Sequence, residues 1–247
     1  MKDCTTDGTA VIGADGAGSG AVSDAGSAEM IAERLSSLGL PDINALAGKL
    51  SVYLRMLRDW NARMNLTRIV EPREIADRHF AESLGVLTKF DLPETGKLID
   101  VGTGAGFPGL VLAMALPGWK VTLLDAREKR LCFLRAVCEA TGTDNVKIVH
   151  ARAEDAGRES GMCEAFDIAA ARAVAKLDML CSLLLPFVKP GGLALCWKGP
   201  SWTEERATAE YAARRLGGGI EDAVDCAFGT GSGRMNLIIP VRKKRGG

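Results

Sequence analysis

The stretch LIDVGTGAGFPG, running from Leu98 to Gly109, decides how the rest of the chain is read. An apolar run ends in a carboxylate, Asp100, and passes at once into four glycines, Gly102, Gly104, Gly106 and Gly109. Leu98–Val101 has the length and composition of a buried strand, and the apolar residues after Pro108 open a helix. Glycine tolerates positive φ and lets a flat ligand approach the main chain. In an open α/β sheet ligands bind beyond the carboxyl ends of the strands, where strand order reverses. The stretch therefore predicts a ligand cradle at the end of the first strand.

Outward from it, short β-rich runs alternate with helical ones. The sequence predicts a helix over 108–116, a strand over 121–125, a helix over 128–140 and a strand over 146–150. A strand over 166–170, a helix over 177–188, a strand over 193–197 and a helix over 204–216 follow, with Pro117-Gly118 and Pro190-Gly191-Gly192 marking helix-to-strand turns. Such alternation means a mainly parallel sheet covered on both faces. The end of the chain breaks the pattern. Ala223–Phe228 and Met235–Val241 read as strands joined by Gly229-Thr-Gly-Ser-Gly233, an antiparallel hairpin closing the sheet. Beyond it, Val241-Arg-Lys-Lys-Arg245 reads as a solvated tail.

Before the sheet the period is helical. Pro41-Asp42 opens a helix carrying Ile43, Leu46, Leu50, Leu54, Leu57, Trp60 and Met64 at steps of three and four. Pro72 suits the first turn of another, carrying Ile75, His79, Phe80, Leu84 and Leu87. Residues 1–27, rich in Gly, Ala, Ser, Thr and Asp, cannot bury enough surface to offset their ordering entropy. Three parts are expected: an unstructured extension over 1–27, a helical region over 28–96 and a Rossmann-like domain over 97–247.

Composition narrows the function classes. The 247 residues are 47% hydrophobic and 25% charged, ordinary for a globular protein, with no run long and apolar enough for a membrane span and no secretory leader pattern. Seven cysteines are scattered without a C-x-x-C pair, and His79 and His150 stand alone, so no metal site is expected. Cys132, Cys138, Cys181 and Cys196 lie in apolar stretches and read as buried reduced thiols, which suits the cytoplasm. The formal net charge of zero offers no broad cationic footprint for nucleic acid. Nothing calls for a second copy, and a monomer is expected.

Two ligand classes compete for the cradle. Gly104-Ala-Gly-Phe-Pro-Gly109 matches G-x-G-x-x-G, the pattern in which helix-end amides hold a pyrophosphate. Asp100 argues the other way, since a carboxylate repels phosphate but accepts bonds from an ammonium group. Asp125 closes the second strand where a ribose-binding acid belongs, and Glu154-Asp155 follow the third. Three acids after three successive strands favour S-adenosylmethionine, a cationic nucleoside without phosphate, over a nicotinamide dinucleotide.

A longer set of motifs goes beyond fold class. Trp60-Asn-Ala-Arg-Met-Asn-Leu-Thr67, Arg78-His-Phe-Ala-Glu-Ser83, Ile99–Gly109, Leu124-Asp-Ala-Arg-Glu-Lys-Arg130, Ala171-Arg-Ala-Val174 and Trp197-Lys-Gly199 occur in this order. From about residue 30 onward the chain resembles the glucose-inhibited division protein B family, which methylates guanine N7 in bacterial small-subunit ribosomal RNA. The resemblance implies a class I S-adenosylmethionine-dependent methyltransferase acting on 16S rRNA, with the small ribosomal subunit as partner. It also implies that Gly102, Phe107, Ala153, Glu154 and Arg172 line the cofactor cavity, with Asp125 on the ribose; Asp100, Gly104 and Gly106 join them from the loop reading. The family often has Ser where this chain has Ala171.

Guanine N7 carries a lone pair in its neutral form, so alignment and electrostatics suffice for transfer and no general base is expected. Consistent with that, the chain has no Pro-Cys dipeptide and no Asn/Asp-Pro-Pro-aromatic run. Arg172 and Lys198, at strand ends, are the expected positioning groups at the reacting centre. Lys129 and Arg130, cations at a helix start where they are disfavoured, are expected to meet RNA phosphate, as are Arg78, His79 and Lys198. A dinucleotide-dependent oxidoreductase and a non-catalytic RNA-binding or assembly factor are the alternatives. The first predicts nicotinamide-cofactor affinity and the second RNA binding without methyl transfer.

Overall fold

The computed structural model describes residues 24–172, 175–226 and 237–245. Helix α1 (Asp24–Leu35) starts inside the stretch expected to be unstructured, whose remainder, residues 1–23, lies outside the described residues. Helix α2 (Ile43–Met64) buries Leu46, Leu50, Tyr53, Leu54 and Leu57 at three- and four-residue steps. It ends at Asn65, whose left-handed conformation (φ 50°) closes the last turn with its amide on the Asn61 carbonyl. Pro72 opens α3 (Pro72–Ile75), and the Glu71 carboxylate caps it by accepting from the Glu74 amide. Residues Ala76–Ala81 then wind as a π-helix, followed by α4 (Glu82–Leu84) and α5 (Val86–Lys89). The buried pair Ile75/Ala76 is succeeded five residues on by Phe80/Ala81, the i to i+5 repeat of that helix type.

The alternating part follows: β1 (Gly96–Val101), α6 (Gly109–Ala115), β2 (Trp119–Asp125), α7 (Glu128–Thr141), β3 (Val146–His150) and α8 (Ala153–Ala156). Then come β4 (Phe166–Arg172), α9 (Leu177–Leu184), β5 (Val188–Lys198), α10 (Trp202–Arg215), β6 (Gly218–Ile220), β7 (Val224–Asp225) and β8 (Leu237–Lys243). Strands β3-β2-β1-β4-β5 are parallel, and β8 adds to β5 antiparallel with β6 and β7 end to end along its outer edge. The expected mainly parallel sheet with an antiparallel close is thus present; the connection over 227–236 lies outside the described residues, as do residues 173–174.

Three local expectations fail. The helix expected to reach Val188 stops at Leu184, and Val188 already pairs with Phe166 in β5. Pro190-Gly191-Gly192 is therefore a bulge within β5, not a turn before it: Ile168 next pairs with Leu193, and Gly191 takes φ +86°. The basic tail is no solvated tail up to Lys243. Arg242 pairs with Glu221 and Lys243 with Glu164 as β8 runs on.

Side chains alternate across the sheet and build a core on each face. Leu98, Val121, Leu123, Ile168, Leu195 and Ile238 join one core, together with α1, α2, α6, α7 and the π-helix. Ile99, Leu124, Ala169, Ala194, Cys196 and Ile239 join the other, with α9 and α10. The N-terminal helices thus complete one face of the sheet. Cys181 and Cys196 are buried as expected, whereas Cys132 and Cys138 are only half-buried. No described helix is long and apolar enough to cross a membrane, and no described cluster of His, Cys, Asp or Glu could hold a metal.

Candidate active site

Strand β1 has β2 on one side and β4 on the other, so the order reverses at the carboxyl ends of β1 and β4. The glycine loop sits there, and its glycines serve different ends. A Cβ on Gly106 would stand 2.5 Å from Tyr53 Oη, and one on Gly109 would stand 2.5 Å from Asp100 Cβ; both are pressed against protein. Gly104, at φ +59°, would meet nothing nearer than 3.8 Å, so it is the glycine whose open side faces a cavity.

Asp100 is fully buried and does not line that cavity, contrary to the expectation that it meets the ligand. Its Oδ2 accepts from Thr103 Oγ1 (2.6 Å) and from the Gly109 amide (2.9 Å), the first amide of α6. The next amide, Leu110, is taken by the Gly106 carbonyl (2.9 Å). This helix end, where a dinucleotide would seat its pyrophosphate, is thus filled by the protein's own carboxylate. Burial pushes Asp100 up to about 6, against the two hydrogen bonds that favour its charge.

The cavity has a volume of about 560 Å³ and is lined by Gly102, Gly104, Phe107, Asp125, Ala153, Glu154 and Arg172, among others. Gly106 is not in its wall. Asp125 Oδ2 accepts from the Gly104 amide (3.0 Å) and faces Arg130 Nη1 at 3.3 Å, while Oδ1 accepts from the Arg127 amide (2.8 Å). Arg130, expected at the RNA, is therefore part of this cavity. Lys129 is exposed and outside it. With Arg127 and Arg152 also in the wall, the count of acids that favoured a cationic ligand does not hold; the filled helix end is the better argument.

A second, larger cavity of about 1030 Å³ adjoins the first and shares Leu66, Thr67, His79 and Arg172 with it. The 65–70 segment is fixed as a ledge over both: Asn61 Oδ1 accepts from the Thr67 amide (2.8 Å), and Thr67 Oγ1 accepts from the Ile69 amide (3.1 Å) and lies 2.9 Å from His79 Nε2. His79 stacks on Phe107 (centroids 4.3 Å apart), and Phe107 stacks in turn on Tyr53 (5.5 Å). Tyr53 donates to the Ala105 carbonyl, tying α2 to the glycine loop. Burial, then the nearby Arg172 charge, lowers His79 to about 3, with the Arg78 carbonyl opposing, so the ring is neutral in ordinary buffers.

Arg172 donates from Nη2 to Glu82 (2.6 Å) and to the Arg78 carbonyl, and its Nη1 is buried without a partner among the described residues. Burial lowers its basicity, and the Glu82 charge opposes that. Two residues expected on RNA, Arg78 and Lys198, do line the second cavity but are engaged: Arg78 with Glu74 (2.7 Å), Lys198 with Glu205 (2.8 Å) and the Ala175 carbonyl. Sequence reading missed Tyr53, although it falls three residues after Leu50 and four before Leu57 on the buried stripe. It also passed over Glu82 as the counter-charge of Arg172, for which no sequence signal exists.

A family model described as rRNA small subunit methyltransferase G matches residues 47–227. The chain belongs to that family. A ribosomal RNA small subunit methyltransferase G of Alkaliphilus oremlandii is 43% identical, covering 87% of this chain and 90% of the relative. One of Symbiobacterium thermophilum is 38% identical over 87% of this chain and 89% of the relative. Among solved structures, the YcgJ protein of Bacillus subtilis aligns at a TM-score of 0.51 with 14% identity, over 67% of this chain and 99% of that one. TYW2 of M. jannaschii in complex with AdoMet aligns at 0.50 with 16% identity, over 65% and 76%. These two likenesses establish the shared Rossmann-like fold; membership of the methyltransferase G family rests on the closer relatives.

Proposed function

We propose that this chain transfers the methyl group of S-adenosylmethionine to guanine N7 in 16S rRNA of the small ribosomal subunit, as a monomer in the cytoplasm. The observation that carries the reading is the wall common to the two cavities: a donor in one and an acceptor base in the other would meet across Thr67, His79 and Arg172. The smaller cavity falls within the size range of ligand sites, roughly 300–1,000 Å³. Gly104 leaves its floor open, and Asp100 blocks the phosphate seat beneath. The residues present therefore fit a phosphate-free nucleoside. Gly102, Gly104, Phe107, Asp125, Ala153, Glu154 and Arg172 would hold it, with Asp125 on the ribose hydroxyls, while Asp100 and Gly106 act from below by fixing the loop. When bound, S-adenosylmethionine supplies an electrophilic methyl on a sulfonium centre.

The chain's own residues then have three tasks. The ledge and the stacked His79 ring limit how a base can enter the larger cavity, aligning N7 with the methyl carbon. Trp197, Phe107 and Leu66 contribute apolar surface to the two cavities, against which the flat base and the donor can pack. His79, held neutral, adds no repulsion as the base becomes cationic, and Glu82 offsets the charge of Arg172. No proton has to leave the neutral base, so no residue need accept one. The test incubates the protein and methyl-labelled donor with small subunits from cells lacking this activity, then locates the label by nuclease digestion and mass spectrometry. Label on guanine N7 is expected; label on any other atom, or none, overturns the assignment.

A further inference from the structure

The cations that sequence reading placed on RNA are mostly neutralised in the structure. Seven Arg or Lys residues line the two adjoining cavities, and four of them are paired with carboxylates: Arg78 with Glu74, Arg130 with Asp125, Arg172 with Glu82 and Lys198 with Glu205. The other three, Arg68, Arg127 and Arg152, are exposed and have no ion-pair or hydrogen-bond partner for their guanidinium groups among the described residues. They come from separate places around the opening. Arg68 stands on the fixed 65–70 ledge, Arg127 on the turn after β2, and Arg152 on the turn that caps α8.

We propose that Arg68, Arg127 and Arg152 form a clamp for RNA phosphates across the two adjoining cavities, Arg68 at the second and Arg127 and Arg152 at the first. This rests on the reading of the chain as an rRNA methyltransferase and assigns its backbone contacts. Guanidinium groups free of acids carry a full charge to the partner, and they match phosphate oxygens in pairs. Phosphate contacts position a nucleic acid without reading its sequence. A set of three also explains how a chain of zero net charge holds a polyanion: the footprint is local, set in the walls of the two cavities. The ledge, tied by Asn61 and His79, keeps Arg68 close to its bound position before RNA arrives.

The experiment measures equilibrium binding of full-length 16S rRNA to the full chain from about 50 to 300 mM salt, for the natural protein and Arg68→Gln, Arg127→Gln, Arg152→Gln and the triple variant. Each guanidinium removed from a phosphate should flatten the slope of log affinity on log salt by about 0.7–0.9, so the slope of the triple variant should flatten by about two or more. Lys120→Gln, on an exposed residue near the amino end of β2, changes net charge by the same amount and should leave the slope unchanged. Arg68→Lys should restore most of the affinity missing in Arg68→Gln. Binding of S-adenosylhomocysteine should stay within about threefold in Arg68→Gln, whose residue lies outside the donor cavity. An unchanged slope in the triple variant, an equal flattening in Lys120→Gln, or a collapse of S-adenosylhomocysteine binding in Arg68→Gln would overturn the clamp. Flattened slopes in a protein that never labels guanine N7 would instead keep the clamp and sink the proposed reaction.

Discussion

Asp100 holds its charge in a place that resists charge, and that has a measurable sign. Its carboxyl titrates near 3.8 when exposed and at about 6 when folded. Between those values the folded chain binds the proton more tightly than the unfolded one, so the stability Asp100 contributes is full below about pH 4 and is lost as pH rises through about 6. Asp100→Asn keeps an acceptor for Gly109 and Thr103 but does not titrate. Relative to the natural protein, its unfolding free energy should rise by up to about 3 kcal/mol between pH 4 and pH 7, read by urea denaturation at each pH; a difference that stays flat refutes the buried-charge account. At His79 the prediction concerns chemistry. Phenylalanine there preserves the stack on Phe107 but offers no basic nitrogen, so single-turnover methyl transfer should stay within about tenfold of the natural rate. A drop of 10²–10⁴-fold, the usual contribution of a general base, would show that a proton is moved after all. The residues most visible in the sequence, the glycines and Asp125, were legible because strand-end position fixes where they fall. The ion pairs that occupy Arg130 and Lys198 were not, since each acid lies on another element; the Arg78–Glu74 pair, four residues apart, was open to reading and was missed.

At the scale of elements, the glycine loop separates into two kinds of position. Gly109→Ala drives a methyl into the buried side chains of Asp100 and Leu123, and overpacking of this sort costs about 1–3 kcal/mol or more. Gly104→Ala meets nothing nearer than 3.8 Å and carries only the strain of its positive φ, about 1 kcal/mol. Thermal unfolding should therefore fall steeply for Gly109→Ala and slightly for Gly104→Ala, while calorimetry with S-adenosylhomocysteine should find affinity lost in the latter even where the fold is intact. Equal melting temperatures would contradict the division. The G-x-G-x-x-G spelling contained both kinds without distinguishing them. The π-helix was likewise hidden: Ile75, His79, Phe80 and Leu84 satisfy an ordinary helical period, and only the buried step from Ile75 to Phe80 reveals the extra residue. Elements whose pattern repeats, such as β2, β3 and α7, were read within two residues of their ends. The β5 bulge was misplaced because Pro-Gly-Gly punctuates a turn and a bulge in the same letters.

For the molecule as a whole, the division into a helical region and a sheet domain visible in the sequence does not correspond to two cores. Leu50, Tyr53, Leu57 and Phe80 pack into the same cluster as Leu98, Leu110, Leu123 and Phe133. A chain beginning near residue 94 would leave one side of the sheet covered by α6 and α7 alone, so it should fail to fold as a soluble monomer, and the intact chain should unfold in one cooperative transition by both far-ultraviolet and tryptophan signals. A stable, dispersed fragment would contradict the shared core. Asp100 has a consequence at this scale too. Inside a cell, adenine nucleotides far outnumber most other adenosine compounds, and any open crevice that welcomes adenosine risks being clogged by them. By parking its own negative group under the first turn of α6, the protein has already used the Gly109 amide, and the Gly106 carbonyl has used that of Leu110, so a phosphate arriving there finds neither donor open.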